Sequence, residues 1–399
     1  MRPLSAPRSP LPAPAPALAL APTPTPTPAP ALALALALAL TASPSCATTG
    51  ASGEGDRDLP TAGVGPFRKL ASDEVPGIAP FVFDDRVAGY REPAVLAPQG
   101  SLEADGVVLY AVAKRGGADV IVRTRSADGR AFFGTTGDFG KIPPVVLEGG
   151  ASWEGAALSG PSALRVGGEI LLYYGAAGGI GVARSVDGLV FRKEPAPILT
   201  RDPASGWETS EVRAPSVVAL PDGQLHMFYA SGTSIGEAVS RDGVRFERFD
   251  PDPSTPAIEP VLGPAPAPAP GSLAPSERLP FDAARVGDPC AAVRVTPADR
   301  LHVRVLYTGA DATGTSAIGF AARYGERGPL ARQAAPVYAV GGGAGREAAP
   351  ALLELSWGSL LYVQQERRVD ARLTYTSVAG AFAPIPLGLP APAAFPDAP

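Results

Sequence analysis

Five prolines in this 399-residue chain, Pro93, Pro161, Pro215, Pro289 and Pro350, each open an apolar run. The residues just before them are Glu92, Gly160, Ala214, Asp288 and Ala349, so two of five comparable positions carry a carboxyl. A residue that departs from its own repeat answers to something besides the repeat, which makes Glu92 and Asp288 the leading candidates for chemistry. Two carboxyls in different surroundings can divide the roles of proton donor and proton acceptor, because crowding and burial keep one protonated and the other ionised. Glu211, four residues before Pro215, is a further candidate. Arg91 and Arg213 share one offset, two before their prolines. A guanidinium there can grip an inner-strand carboxylate or an acid group of a ligand.

Other polar residues recur with the repeat and read as structural. Glu154, Glu208 and Asp282 each follow an aromatic residue, and such acids can bind local backbone donors. Asp128, Asp187 and Asp242 fall in Asp-Gly turns. Trp153 and Trp207 read as core between blades, with a sugar-stacking, substrate-binding platform as the alternative. The two histidines, His226 and His302, occupy comparable strand positions away from any acid cluster, so no metal site is expected. Cys46 and Cys290 are the only cysteines, which excludes a disulfide framework, and Cys290 reads as an inert core thiol. No Gly-rich phosphate loop or Ser-His-Asp arrangement can be assembled, so no cofactor is expected. Net charge is −5 with no dense basic block in the folded part, which argues against nucleic acid as a partner.

The elements that must position these residues follow from one phrase written repeatedly. "WEGAALSGPSAL" begins at Trp153, "WETSEVRAPSVV" at Trp207, and a looser copy, "FDAARVGDPCAAV", at Phe281. Each continues through an apolar run, a Gly turn, an alternating run ending in Tyr, a second turn and an Ile-Gly strand. Two copies then read Ser-x-Asp-Gly-x-x-Phe. Period-two runs between Gly and Asp-Gly turns are strands, four to a unit. Weaker units surround Pro93 and Pro350. Five such meanders predict an all-β, five-bladed β-propeller of four-stranded antiparallel blades. Blades are expected to start near residues 90, 153, 207, 281 and 346 within a domain spanning 61–385, with an insertion at 251–280. "PFRK" at 66–69 mimics the outer-strand start "VFRK" at 190–193, which suggests that an N-terminal strand joins the last blade.

Residues 1–60 are dominated by Pro, Ala, Leu, Thr and Ser and are expected to be a disordered, low-complexity segment; 386–399 is a Pro/Ala-rich tail. Arg2 and Arg8 precede the Ala/Leu run at 31–40, and Cys46 follows. Positive, apolar and small residues in that order read as an export signal, and a run this short does not span a bilayer as a helix. A cysteine placed after the run resembles a bacterial lipoprotein signal, which implies lipidation and a membrane tether at Cys46. The protein is therefore expected to be an extracytoplasmic monomer, either a membrane-anchored lipoprotein or secreted or periplasmic.

Five blades, inner strands opening on x-Pro, Tyr-x-Gly variants and Ser-x-Asp-Gly-x-x-Phe resemble the five-bladed propeller glycosidases, glycoside hydrolase family 43 with its invertase and levansucrase relatives. The resemblance covers about residues 65–385. It implies catalytic carboxylates at the inner strand ends, commonly in Asp-Pro or Glu-Gly-Pro, acting on a glycan. Glu92-Pro93 and Asp288-Pro289 match those residue types. The intervening fifth blade offers Glu347 as a third acid, with Glu211 as a further assistant. Gly160 and Ala214 depart from the family order, which places acids in its first three blades. Two functions follow as expectations: an exported glycoside hydrolase, or a non-catalytic surface propeller binding a carbohydrate or a protein.

Overall fold

The computed structural model describes residues 67–69, 90–98, 106–129, 132, 143–266, 279–295, 300–339, 345–355, 358–368 and 374–384. Cys46 and parts of the expected insertion lie outside the described residues. The first element is β1 (Arg68–Lys69). Blade one comprises β2 (Arg91–Leu96), β3 (Val107–Arg115), β4 (Ala118–Ser126) and β5 (Val145–Leu147). Blade two comprises β6 (Ser159–Val166), β7 (Glu169–Ala176), β8 (Gly179–Ser185) and β9 (Arg192–Lys193). Blade three follows with β10 (Arg213–Ala219), β11 (Leu225–Ser231), β12 (Ser234–Ser240) and β13 (Glu247–Arg248), and blade four with β14 (Arg285–Val295), β15 (Leu301–Ala310), β16 (Ser316–Tyr324) and β17 (Ala331–Arg332). In blade five, β18 (Gly345–Leu355), β19 (Gly358–Arg368) and β20 (Thr374–Pro384) take β1 as their outer strand, Arg68 opposite Phe382. Every pairing is antiparallel between sequence neighbours except that closing one.

Apolar layers between successive sheets hold the ring. Leu360 and Tyr362 of blade five pack with Val107 and Leu109 of blade one. Comparable layers fill the junctions between blades one and two, two and three, three and four, and four and five. Burying a Leu- or Phe-sized side chain contributes roughly 1.5–3 kcal/mol, so these layers dominate stability. Central strands such as β3 are buried on both faces, which is why they read as near-continuous apolar runs.

The repeated motifs take distinct places. In blades two to four the acid after the aromatic is buried and ties three parts of its blade together. Glu154 accepts from Tyr174 (2.6 Å), Lys193 and the amides of Gly150 and Ala151. Glu208 accepts from Tyr229 (2.8 Å), Arg248 and the Asp202 amide. Asp282 accepts from Tyr307 and Arg332. These acids therefore stabilise loops, as the repeat predicts, and also fasten the outer strands β9, β13 and β17. The Ser-x-Asp-Gly turns lock themselves through Ser185 and Asp187, and through Ser240 and Asp242. Their glycines receive the neighbouring blade: Tyr110 donates to the Gly188 carbonyl and Tyr173 to that of Gly243.

Candidate active site

Each inner strand bulges at its x-Pro pair. Arg91 pairs with Val112 and Ala94 with Tyr110, so Glu92 and Pro93 together oppose one residue. The same shift recurs at Gly160-Pro161, Ala214-Pro215, Asp288-Pro289 and Ala349-Pro350. The residue before proline is left-handed in all five blades, with φ of 52° at Glu92, 48° at Gly160 and Ala214, and 47° at Asp288 and Ala349. That geometry costs a non-glycine residue roughly 1–2 kcal/mol. A bulge re-aims the side chain it carries, here toward the ring centre.

The five inner strands enclose a cavity of about 470 Å³, and Glu92 and Asp288 both stand on its wall. Glu92 Oε2 accepts the Gly160 amide at 2.5 Å, and Arg91 Nε lies 3.5 Å from Oε1. In blades five and four the side chains of Gln364 and Thr308 instead cap the equivalent amides of Glu92 and Ala349. Val112, at that position in blade one, has no acceptor to offer, so Glu92 supplies it. Burial pushes the Glu92 carboxyl above its usual range; the Gly160 amide and Arg91 oppose this, the charge of Asp288 adds to it, and Arg213 opposes it. The two acids thus feel each other across the channel. Asp288 is held by Arg213 at 2.8 Å, from the preceding blade. Cys290 also faces the cavity, where its sulfur accepts the Leu352 amide, and burial pushes the thiol up to about 11. Expected in the core, it is instead half-buried on the cavity wall.

Four sequence candidates are placed elsewhere. Glu347 is buried two residues before Ala349, the position held by the buried Tyr90, Leu158, Val212 and Val286 in the other blades. It points between sheets and accepts from Gln365. Glu211 is exposed and is not on the cavity wall. Trp153 and Trp207 are off the cavity wall and pack against the layers between blades, as their recurrence with the repeat suggests. Trp153 stacks on Tyr174, Trp207 lies tilted against Tyr229, and they donate to the Pro195 and Ile258 carbonyls. Of the two alternatives for Arg91 and Arg213, the structure shows the protein carboxylate: Arg91 pairs with Asp119 (2.5 Å) and Arg213 with the inner-strand Asp288. The histidines are buried blade residues, His226 bonding Glu237 at 2.5 Å. Among the described residues no group of three or more His, Cys, Asp or Glu could hold a metal ion.

Arg165 was missed by sequence reasoning, yet it lines the cavity. It stands five residues after Gly160, where the other blades carry Ala97, Ala219, Val293 and Glu354. The repeat-breaking logic that found Glu92 and Asp288 identifies it once applied at that offset.

No known protein family matches the sequence, and no curated protein matches it. Solved structures match the fold. A glycosyl hydrolase from Bacteroides ovatus is 13% identical with a TM-score of 0.56, over 81% of this chain and 98% of that one. A GH130 protein, from a family of mannoside phosphorylases that contains glycoside hydrolases targeting β-1,2-mannosidic linkages in Candida mannan, is 14% identical with a TM-score of 0.57. The match covers 81% of this chain and 95% of that one. The β-1,2-mannobiose phosphorylase from Listeria innocua is 14% identical at 0.50, over 75% and 90%. These likenesses carry the fold, a five-bladed β-propeller; the narrower kinship to family 43 and the invertases is not carried by them.

Proposed function

We propose that this propeller processes a glycan by acid–base hydrolysis in its central cavity. One observation carries the reading: the only two acids at the five x-Pro positions face one cavity, Glu92 buried and Asp288 paired with Arg213. Burial favours the neutral form of Glu92, suiting it to protonate a leaving glycosidic oxygen. Asp288 is held by its ion pair with Arg213, which positions a carboxylate oxygen to activate water or attack the sugar carbon. The fold neighbours, glycoside hydrolases and a mannobiose phosphorylase among them, agree with carbohydrate as the substrate class.

A second reading, a non-catalytic carbohydrate-binding propeller, draws on the cavity wall itself. Three of the five x-Pro positions on that wall, Gly160, Ala214 and Ala349, carry no carboxyl. Glu92→Gln and Asp288→Asn separate the two. Under hydrolysis, each lowers kcat/KM on an activated aryl glycoside by about 100-fold or more, since general acid–base groups contribute on that scale. Glu154→Gln, within its own blade's fastening, leaves turnover unchanged. A broad panel giving saccharide binding without turnover in the wild type supports the second reading and overturns the first.

A further inference from the structure

The cavity does not end at its acid pair. Its wall continues along the inner strands, farthest in blades one and two, to Pro98 and Arg165. Between lie aliphatic side chains, among them Val95, Leu164, Val217 and Leu352. Arg165 is the only cationic residue among the described residues that line this wall, and its charge lies on the side of blade one. It lies five residues along β6 from Gly160, roughly 16 Å at strand rise.

Its situation differs from that of the neighbouring inner-strand arginines. Asp119 holds Arg91, Asp288 holds Arg213, and Glu354 holds Arg294. Arg165 makes no ion pair or hydrogen bond among the described residues, and its Nε is buried without a partner. Its charge reaches the Tyr110 hydroxyl, which already donates to Gly188. A guanidinium drawn partly out of water without a counter-charge is costly, and buried polar atoms are as a rule satisfied. Where such a group faces a cavity, an anionic ligand group satisfies it by charge-assisted, two-pronged hydrogen bonding. The opposite end carries Glu92 and Asp288, which repel a like charge.

We propose that the cavity takes an acidic oligosaccharide, with a uronate carboxylate on Arg165 and the sugar to be processed between Glu92 and Asp288. This rests on the glycan reading and names its substrate class. Calorimetric titration with matched pairs, oligogalacturonate against oligogalactoside and oligomannuronate against oligomannoside, tests it. The wild type binds the acidic member of a pair more tightly by about tenfold or more, the scale of a hydrogen bond to a charged group. That preference collapses toward one in Arg165→Met and survives partly in Arg165→Lys. It persists in Arg241→Met, which loses the same charge at an exposed site off the cavity. Thermal melting confirms that each variant is folded. Equal or stronger binding of the neutral member, or a preference that survives Arg165→Met, overturns the acidic-substrate proposal and leaves the glycan reading standing. Absence of binding by every saccharide of either kind overturns both.

Discussion

Glu92 shows how burial at one residue couples stability to pH. Its carboxyl is raised chiefly by burial, so the fold favours its neutral form. For an acid shifted this way, the stabilising contribution is fully present below the unfolded pKa, about 4.3 for Glu, and is lost as pH rises through the folded value. Glu92→Gln keeps the shape and cannot ionise. Its melting temperature should exceed that of the wild type at pH 7, and the gap should close at pH 4; an equal gap at both pH values contradicts the assignment. The same residue was legible in sequence because it breaks a repeat. Glu347 misled for the opposite reason: it also breaks the repeat, but at a position whose side chain faces the neighbouring sheet. Position in a strand's alternation decides where an acid points, and a bulge two residues later obscures that alternation in the sequence. Trp153 and Trp207 were legible as core because they recur with the repeat, and both pack against the apolar layers between blades.

At the scale of the inner strand, the x-Pro bulge is the device that points side chains at the channel, and its left-handed residue sets what each blade can offer. An x-Pro pair read from sequence suggests extended backbone; the left-handed conformation appears only with the strand pairing. Ala214 and Ala349 accept the strain, while Gly160 avoids it. Gly160 has a second reason to lack a side chain: a Cβ there would lie 2.6 Å from the Cα of Ala214. The absence of a side chain at this position thus fits the close approach of blades two and three. Gly160→Ala should destabilise by about 2–3 kcal/mol, combining left-handed strain with overpacking against backbone. It should also shift the amide that holds Glu92. Chemical denaturation measures the first effect, and the pH dependence of turnover the second. A variant as stable as the wild type would mean that the two strands part freely at this point.

At the scale of the molecule, the ring is closed by strands from opposite ends of the described chain. The "PFRK" resemblance to "VFRK" made this closure legible, because the same outer-strand phrase appears before the first blade rather than inside the last. In the structure Phe67 is buried, and its amide donates to the Val337 carbonyl at 3.0 Å. Lys69 Nζ donates to Gln365 at 2.9 Å, and Gln365 in turn donates to Glu347. Blade five lacks the acid–tyrosine fastening of blades two to four, since Val363 stands where Tyr174, Tyr229 and Tyr307 stand. Its outer strand is fastened through Lys69 and Gln365 instead. The blades are otherwise joined by the layers described above, by Tyr362 donating to the Gly129 carbonyl across the one–five junction, and by the buried Glu237–Arg323 pair at 2.7 Å between blades three and four. A chain starting at Ser72 therefore loses the outer strand of blade five and exposes the edge of β20, whereas one starting at Thr61 keeps both. The shorter chain should melt lower and, with an unpaired β edge, associate at high concentration. The longer one should melt like the full chain and stay dispersed in light scattering. Equal melting of the two would show that blade five is complete without β1.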